Sequence, residues 1–474
     1  MGVVLYNTLT RTKEPLEPIE GSRVRVFVCG PTVYDLSHLG HAKTYTQFDL
    51  VVRHLRHRGF DVTYLQNITD IDDRIIVRAA ERGVDTGELA REFEQKYLED
   101  MAALGNTSVD RHARATDFID QIVSQVQRLV EGGNAYELPD GWYFDISSFP
   151  EYGKLARRRE LAADDSQSRI DENPLKKDPR DFALWKRPKE GEPTWDTPLG
   201  PGRPGWHIED TAITEALLGP QYEIHGGAVD LIFPHHEAEI AQMESISGRA
   251  PLARYWMHTG FLNLRETKMS KSLGNVFTLR DTLATVDPRV LRFFLLSHHY
   301  RSPIEYDPSL LETAAASLKR IENFWLRLPA ERSEGAADGG QGRDDVAPEV
   351  ADARERMLGA LDDDFNAPGA LAALYEFIGE QHRAERPAPG SRALLEDFDA
   401  IFAVLPKQAA GAGPGDGAGE HDDDWITAEV ERRQQLRAER KFAEADEIRD
   451  RLRAMNVVIE DTAEGVRWHR EVPA

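Results

Sequence analysis

The stretch Val24-Arg-Val-Phe-Val-Cys29 limits what this chain can become more than any other. It alternates and then turns wholly apolar, as a strand covered on both faces does, and Gly30-Pro31 ends it. Beyond it Phe48, Leu50, Val51 and Leu55 repeat at helical spacing. A buried strand that feeds a helix predicts a parallel sheet. Phe60-Asp-Val-Thr-Tyr-Leu-Gln-Asn67 reads as the second parallel strand, and Asn67–Asp73 as a polar turn into another helix. This is half of a doubly wound α/β sheet, in which ligands sit at the carboxyl ends of the strands. Thr69, Asp70 and Asp72 would line that rim, with helix capping the competing use of the two acids.

The turn Pro31-Thr-Val-Tyr-Asp-Leu-Ser-His-Leu-Gly-His41 puts His38 and His41 where strand hands over to helix. Gly40 lets backbone approach a ligand closely. A helix start presents free N–H groups and a positive dipole end, which suits phosphate. The two histidines add donors on the same side.

No N-terminal run has the basic and apolar parts of a signal segment, and no apolar stretch approaches the ~18 residues of a membrane span. Cys29 is the single cysteine. That excludes an internal disulfide framework and fits a reducing cytoplasm. At 474 residues the chain divides into three or four units.

His38 and His41 gain weight from Lys268-Met-Ser-Lys-Ser272, far downstream. In this order the two signatures resemble the HIGH and KMSKS motifs of class I aminoacyl-tRNA synthetases. The surrounding text narrows this further: Cys29-Gly30, Asn67-Ile-Thr-Asp-Ile-Asp-Asp73, Gly205-Trp-His-Ile-Glu209 and Phe233-Pro-His-His-Glu237. Over essentially its whole length the chain is similar to the cysteinyl-tRNA synthetase family.

The resemblance implies a doubly wound, Rossmann-like parallel sheet with an inserted subdomain, then an α-helical bundle and a small C-terminal module. Residues 1–103 and 201–265 would be catalytic, and 104–200 an inserted connective subdomain at the acceptor end of tRNA. Residues 266–307 would surround the second signature, and 308–405 would bundle against the anticodon stem. Residues 406–424 would be a flexible linker and 425–474 an anticodon-binding module. Local pattern agrees with a helix around Ile119–Val130 and a strand at Gly141–Ile146. It resumes the sheet at Gly205–Asp210, Tyr222–Gly227 and Val229–Phe233, with a helix from His235. Residues 331–345 read as a low-complexity acidic loop.

Cys29, Asp210, His235 and Glu239 each fall at or just past a predicted strand end. His235 and Glu239, four apart, share a helix face. These residue types suit zinc, one ion per subunit. In the family pattern two cysteines, a histidine and a glutamate hold the ion, and Asp210 stands where the second cysteine would be. The swap keeps the formal charge and hardens the site. Glu209 is the alternative ligand. The resemblance also gives Trp206 as the floor of a cysteine pocket, Asp230 as partner of the substrate ammonium, and Thr69 beside them. His38, Gly40, His41 and Lys271 would bind ATP with its Mg²⁺. His38, His41, Lys268 and Lys271 would stabilise charge as cysteine is adenylated. The implied partners are ATP, L-cysteine and tRNA(Cys), with no membrane, for a cytoplasmic monomer.

An RNA partner sits oddly with a net charge of −24. The basic residues are 45 Arg and only 13 Lys. A salt-rich cytoplasm accounts for both, since at about 1 M salt the Debye length is about 3 Å. Recognition would then rest on short-range hydrogen bonds, stacking and shape. Residues 425–474 are nearly neutral, with ten basic and eleven acidic groups. Trp468 and arginines within 432–453 are the expected RNA contacts.

Three rivals share parts of this pattern. Small nucleotidyltransferases have His-x-Gly-His but no zinc quartet or long helical C-terminus. The cysteine ligase of mycothiol synthesis shares the core and lacks a segment like 425–474. A silent RNA-binding paralogue would not keep His38, His41, Lys268 and Lys271.

Overall fold

The computed structural model describes residues 2–158, 173–264, 278–328, 346–384, 386–406, 423–438, 441–455, 457–462 and 465–470. The chain forms two compact units, 1–405 and 406–474.

Five strands run parallel in the first unit: β1 (Arg23–Val28), β2 (Asp61–Ile68), β3 (Arg111–Arg114), β4 (Tyr222–Ala228) and β5 (Ala253–Thr259). Their order is β5-β4-β1-β2-β3. Read from the other edge, this is the 3-2-1-4-5 order of a doubly wound nucleotide-binding sheet. Its crevice opens where the order reverses, between β1 and β4. β1 lies in mid-sheet, and Val24, Val26, Phe27 and Val28 are fully buried. Helix α1 (Leu39–His57) links β1 to β2 and buries Phe48, Leu50, Val51 and Leu55. Helix α2 (Asp73–Arg82) follows β2, with Asp72 as its N-cap. Glycine is required at position 30, where a Cβ would lie 1.8 Å from Asn67 O.

The sheet outruns the boundary expected at residue 103, because Leu65–Ile68 pair with Arg111–Arg114. Asp70 secures the exit of β3, accepting from Thr116 N at 3.0 Å and Thr116 Oγ1 at 2.5 Å. Between β3 and β4 lies an antiparallel sheet of Ala135–Leu138, Gly141–Phe144, Phe182–Lys186 and Arg203–Pro204. Helix Ile119–Glu131 precedes it, and Trp185 is fully buried in it.

Two expected strands are not strands. Gly205–Asp210 leads into helix α3 (Ile208–Leu218). Ile208 and Ala212 pack into one apolar cluster, Ile213 and Leu218 into another. Burial on opposite sides erases the amphipathic period that would have marked a helix. Val229–Ile232 is a 3-10 turn, which delivers the chain to helix α4 (His235–Ser247).

Helices Ser309–Arg327, Pro348–Asp362, Ala367–Gln381 and Ser391–Phe402 complete the first unit. They share one apolar core with the sheet. The second unit pairs helices Asp423–Ala438 and Phe442–Ala454 with the hairpin Val457–Thr462 and Gly465–Arg470. Ile426, Val430, Ile448, Leu452 and Val457 form its core. The acidic loop at 331–345, most of the linker at 406–424, and Lys268–Ser272 lie outside the described residues. Among the described residues no helix is long and apolar enough to cross a membrane.

Candidate active site

Cys29 follows β1 directly, and its N–H donates to Gly226 O at 3.0 Å. The parallel register sets His225 beside Phe27. Phe27 and Cys29 lie two apart on an extended chain, so His225 projects from the same face as Cys29. Opposing helices close the space. The first turn of α3 carries Glu209 and Asp210, and α4 brings His235, His236 and Glu239. All seven of these groups are buried.

Their polar atoms converge. Cys29 Sγ lies 3.2 Å from His236 Nε2, 3.5 Å from His225 Nε2 and 3.9 Å from Glu239 Oε1. His235 Nε2 lies 3.0 Å from Asp210 Oδ2 and 3.1 Å from Glu239 Oε1. The four expected ligands, Cys29, Asp210, His235 and Glu239, have donor atoms within 4.8 Å of one another. So do Cys29, His225, His236 and Glu239. Glu209 belongs to neither group and accepts a short hydrogen bond from Thr69 Oγ1. Asn67 Nδ2 donates to Asp210 Oδ1 at 2.6 Å, and His207 Nδ1 meets His235 Nδ1 at 2.7 Å. Sequence reading assigned no site role to Asn67, His207, His225 or His236.

A divalent cation suits this pocket. Glu239 Oε2 is buried and has no hydrogen-bond partner. Burial, and then the charge of Asp210, push the Glu239 carboxyl well up. Burial, with Glu239 and Asp210 adding to it, does the same to the Cys29 thiol. Burial pushes the His225 and His236 rings well down. A cation inverts this logic, favouring thiolate and carboxylate beside neutral imidazole. Thiolate, imidazole and carboxylate are the donors zinc takes.

Trp206 stacks on His235 with ring centres 4.4 Å apart. The Arg74 guanidinium lies 5.1 Å from the Tyr34 ring and 5.8 Å from Trp206, and donates to Thr32 Oγ1 at 2.9 Å. It is a further cation at this rim. Asp230 sits in the turn after β4 and is exposed.

His38 is the N-cap of α1. Its Nδ1 accepts from Gly40 N at 3.0 Å and His41 N at 3.4 Å, while His41 Nδ1 accepts from His38 N at 3.4 Å. The rings stack at 3.8 Å. The amides expected to be free for phosphate are therefore engaged by a side chain, and the imidazole rings form the face in front of them. Gly40 is needed for the cap, since a Cβ there would lie 2.8 Å from His38 Cε1. Burial pushes the His41 ring well down, and His38 and Arg74 add to this.

Lys268 and Lys271 lie outside the described residues, but both flanks of their segment are anchored. Leu262–Leu264 pair with Ile304–Tyr306. Thr278 bridges to His38, and Leu279 N donates to Ser37 O at 2.7 Å. The downstream flank thus meets the first signature.

Residues 15–316 match the family described as tRNA synthetases class I (C) catalytic domain, and 358–407 match the DALR domain. The chain is 44% identical over 484 residues to a cysteine–tRNA ligase of Symbiobacterium thermophilum, covering 99% of this chain and 100% of that one. It is 45% identical over 474 residues to a cysteine–tRNA ligase of Halorhodospira halophila, covering 98% and 99%. Its fold is similar to Mycobacterium tuberculosis methionyl-tRNA synthetase in complex with methionyl-adenylate. There the TM-score is 0.57 at 19% identity, over 81% of this chain and 88% of that one. A ternary complex of Agrobacterium radiobacter LeuRS gives 0.59 at 12% identity, over 82% and 83%. By its sequence, and by a fold that agrees with it, the chain belongs to the cysteine–tRNA ligase family of class I tRNA synthetases.

Proposed function

We propose that this chain is a working cysteine–tRNA ligase. It activates L-cysteine with ATP and passes it to the 3′-terminal ribose of tRNA(Cys). The observation that carries this reading is the cluster of Cys29, Asp210, His235 and Glu239 next to Trp206, at the switch point of the sheet. Rejecting serine by a factor of about 10⁴ to 10⁵ takes about 5.5–7 kcal/mol. Two similar hydrogen-bonding groups do not differ by that much. Zinc held by these residues supplies the difference, since it ionises a thiol and leaves a hydroxyl a poor ligand.

Trp206 floors the pocket, Thr69 lines it, and Asp230 receives the ammonium. The cysteine carboxylate attacks the α-phosphorus of ATP, and pyrophosphate leaves with the electrons of the broken P–O bond. His38 and His41 donate to phosphate oxygens as charge builds, with Gly40 holding the turn. Lys268 and Lys271 meet the pyrophosphate, and Lys271 makes the direct ATP contact. Mg²⁺ accompanies ATP. Positioning and charge stabilisation suffice, with no protein nucleophile. The ribose hydroxyl then attacks the acyl carbon and AMP leaves.

The insert between β3 and β4 meets the acceptor end of tRNA. The helices from Ser309 to Phe402 meet the anticodon stem. Residues 425–474 meet the anticodon. The enzyme works as a monomer in the cytoplasm. Cysteine-dependent pyrophosphate exchange, followed by charging of purified tRNA, tests the reading. Exchange without charging would favour a mycothiol-type ligase. A metal-free protein that still rejects serine would remove the role of zinc.

A further inference from the structure

We infer that the ion has a second seat in this chain, formed by Cys29, His225, His236 and Glu239, and that it rests there when no cysteine is bound. This rests on the zinc reading above and adds which side chains hold the resting ion.

Spacing is the first argument. Tetrahedral zinc with ordinary bond lengths sets sulfur and nitrogen donors about 3.6 Å apart and nitrogen and oxygen donors about 3.4 Å apart. In the second group Cys29 Sγ lies 3.5 and 3.2 Å from the two imidazoles. His225 Nε2 lies 3.4 Å from Glu239 Oε2. In the first group His235 lies 3.0 and 3.1 Å from its two carboxylates, inside the zinc spacing by about as much as Cys29–His236 is, so distance alone admits both groups. The orphan atom decides between them. Glu239 Oε1 already meets His235, whereas Oε2, buried without a hydrogen-bond partner, faces His225.

Charge is the second argument. A thiolate and one carboxylate, with two neutral imidazoles, cancel the charge of Zn²⁺. With the ion there, Asp210 keeps its contacts with Asn67 Nδ2 and His235 Nε2, one on each oxygen, so the buried carboxylate is met by protein groups without the metal.

Orientation is the third. His225 Nδ1 is held by Tyr222 Oη at 2.7 Å, and His236 Nδ1 by His258 Nε2 at 2.8 Å, which continues to Thr8 Oγ1 at 2.8 Å. Metal-binding imidazoles are held in this way by their outer nitrogen. A Cβ on Gly227 would lie 2.9 Å from His236 Cε1, so glycine there makes room for the ring. His225 stacks on the fully buried Trp256 at 4.2 Å, whereas His235 stacks on the partly exposed Trp206. The second seat is the deeper one and the first faces the cysteine pocket. With Cys29 and Glu239 common to both, changing seats swaps only the Asp210–His235 pair for His225–His236.

The test is zinc X-ray absorption on the full, substrate-free protein, with zinc affinity measured by chelator competition. We expect one sulfur and two imidazoles. Asp210→Ala should keep its zinc to within about threefold in Kd, while His225→Ala and His236→Ala weaken it about tenfold or more. One imidazole in the wild type, or loss of zinc in Asp210→Ala with both histidine variants unchanged, would overturn the second seat and leave the zinc reading standing. A wild type that binds no zinc would overturn both. Should the histidine variants not fold, the wild-type spectrum alone decides.

Discussion

Arg292 and Asp49 form an ion pair sealed inside the protein. Arg292 Nη2 donates to Asp49 Oδ2 at 2.5 Å, and both side chains are buried. Asp49 lies on α1, which His38 caps and whose first turn carries His41. Arg292 Nε donates to Phe402 O at 2.5 Å, where the last helix of the first unit ends. The pair therefore fastens α1 to the end of the helical region that the proposed function gives to tRNA.

Removing one partner strands the other charge. Asp49→Asn should cost about 3–5 kcal/mol, read from the denaturant midpoint. Burial by itself would raise the Asp49 carboxyl, but Arg292 and Arg53 hold it below the usual carboxylate range. A depressed folded value means the stabilisation is complete above the unfolded value of about 3.9. It is lost as pH falls through the lower folded value. The gap between wild type and variant should be full at neutral pH and close in acid. A gap that stays constant into strong acid would refute the assignment.

His38 serves two ends, and two substitutions separate them. His38→Asn should still cap α1 and leave thermal stability nearly unchanged, because Asn is a good N-cap. Pyrophosphate exchange should nevertheless fall about 10²-fold or more, the usual effect of losing one donor to developing charge. His38→Ala should lose about 1 kcal/mol of stability as well. Full exchange activity in His38→Asn would confine His38 to capping.

Trp206→Ala should raise KM for cysteine and leave KM for ATP unchanged. An aromatic wall removed from a half-buried pocket is worth about 1.5–3 kcal/mol, or about 10–100-fold. A fall in kcat with both KM values unchanged would show that Trp206 only supports His235.

The candidate cluster is legible in the sequence only where its signal is local. His235 and Glu239 show helical spacing, and Cys29 closes a buried strand. The structure brings Asp210 to them on a helix, not the expected strand, because α3 is covered on opposite sides and shows no period. His225 and His236 are hidden for a different reason. Their place depends on β4 pairing with β1, a contact across two hundred residues that no window of sequence contains. The one available signal was the position of His225 near the carboxyl end of an apolar strand. The engaged amides of α1 were also illegible, since spacing does not show a side chain folding back over its own helix.

Residues 406–474 form a separate compact unit. A chain ending at Pro406 should keep pyrophosphate exchange, and its charging of tRNA should fall about 10²-fold as a second contact is lost. Loss of exchange would mean that the tail supports the catalytic unit.

The net charge of −24 with 45 Arg and 13 Lys leads to a salt dependence. Charging should rise toward about 1 M KCl, where self-repulsion is screened. A maximum in dilute buffer, with decline in molar salt, would remove the adaptation to salt.

The capping of α1 by His38 also settles which proton the ring carries. Two backbone N–H groups donate to its Nδ1, so that nitrogen keeps its lone pair and the hydrogen resides on Nε2. Helix capping and tautomer are thus one choice, and Nε2 is the nitrogen the ring has left to donate with.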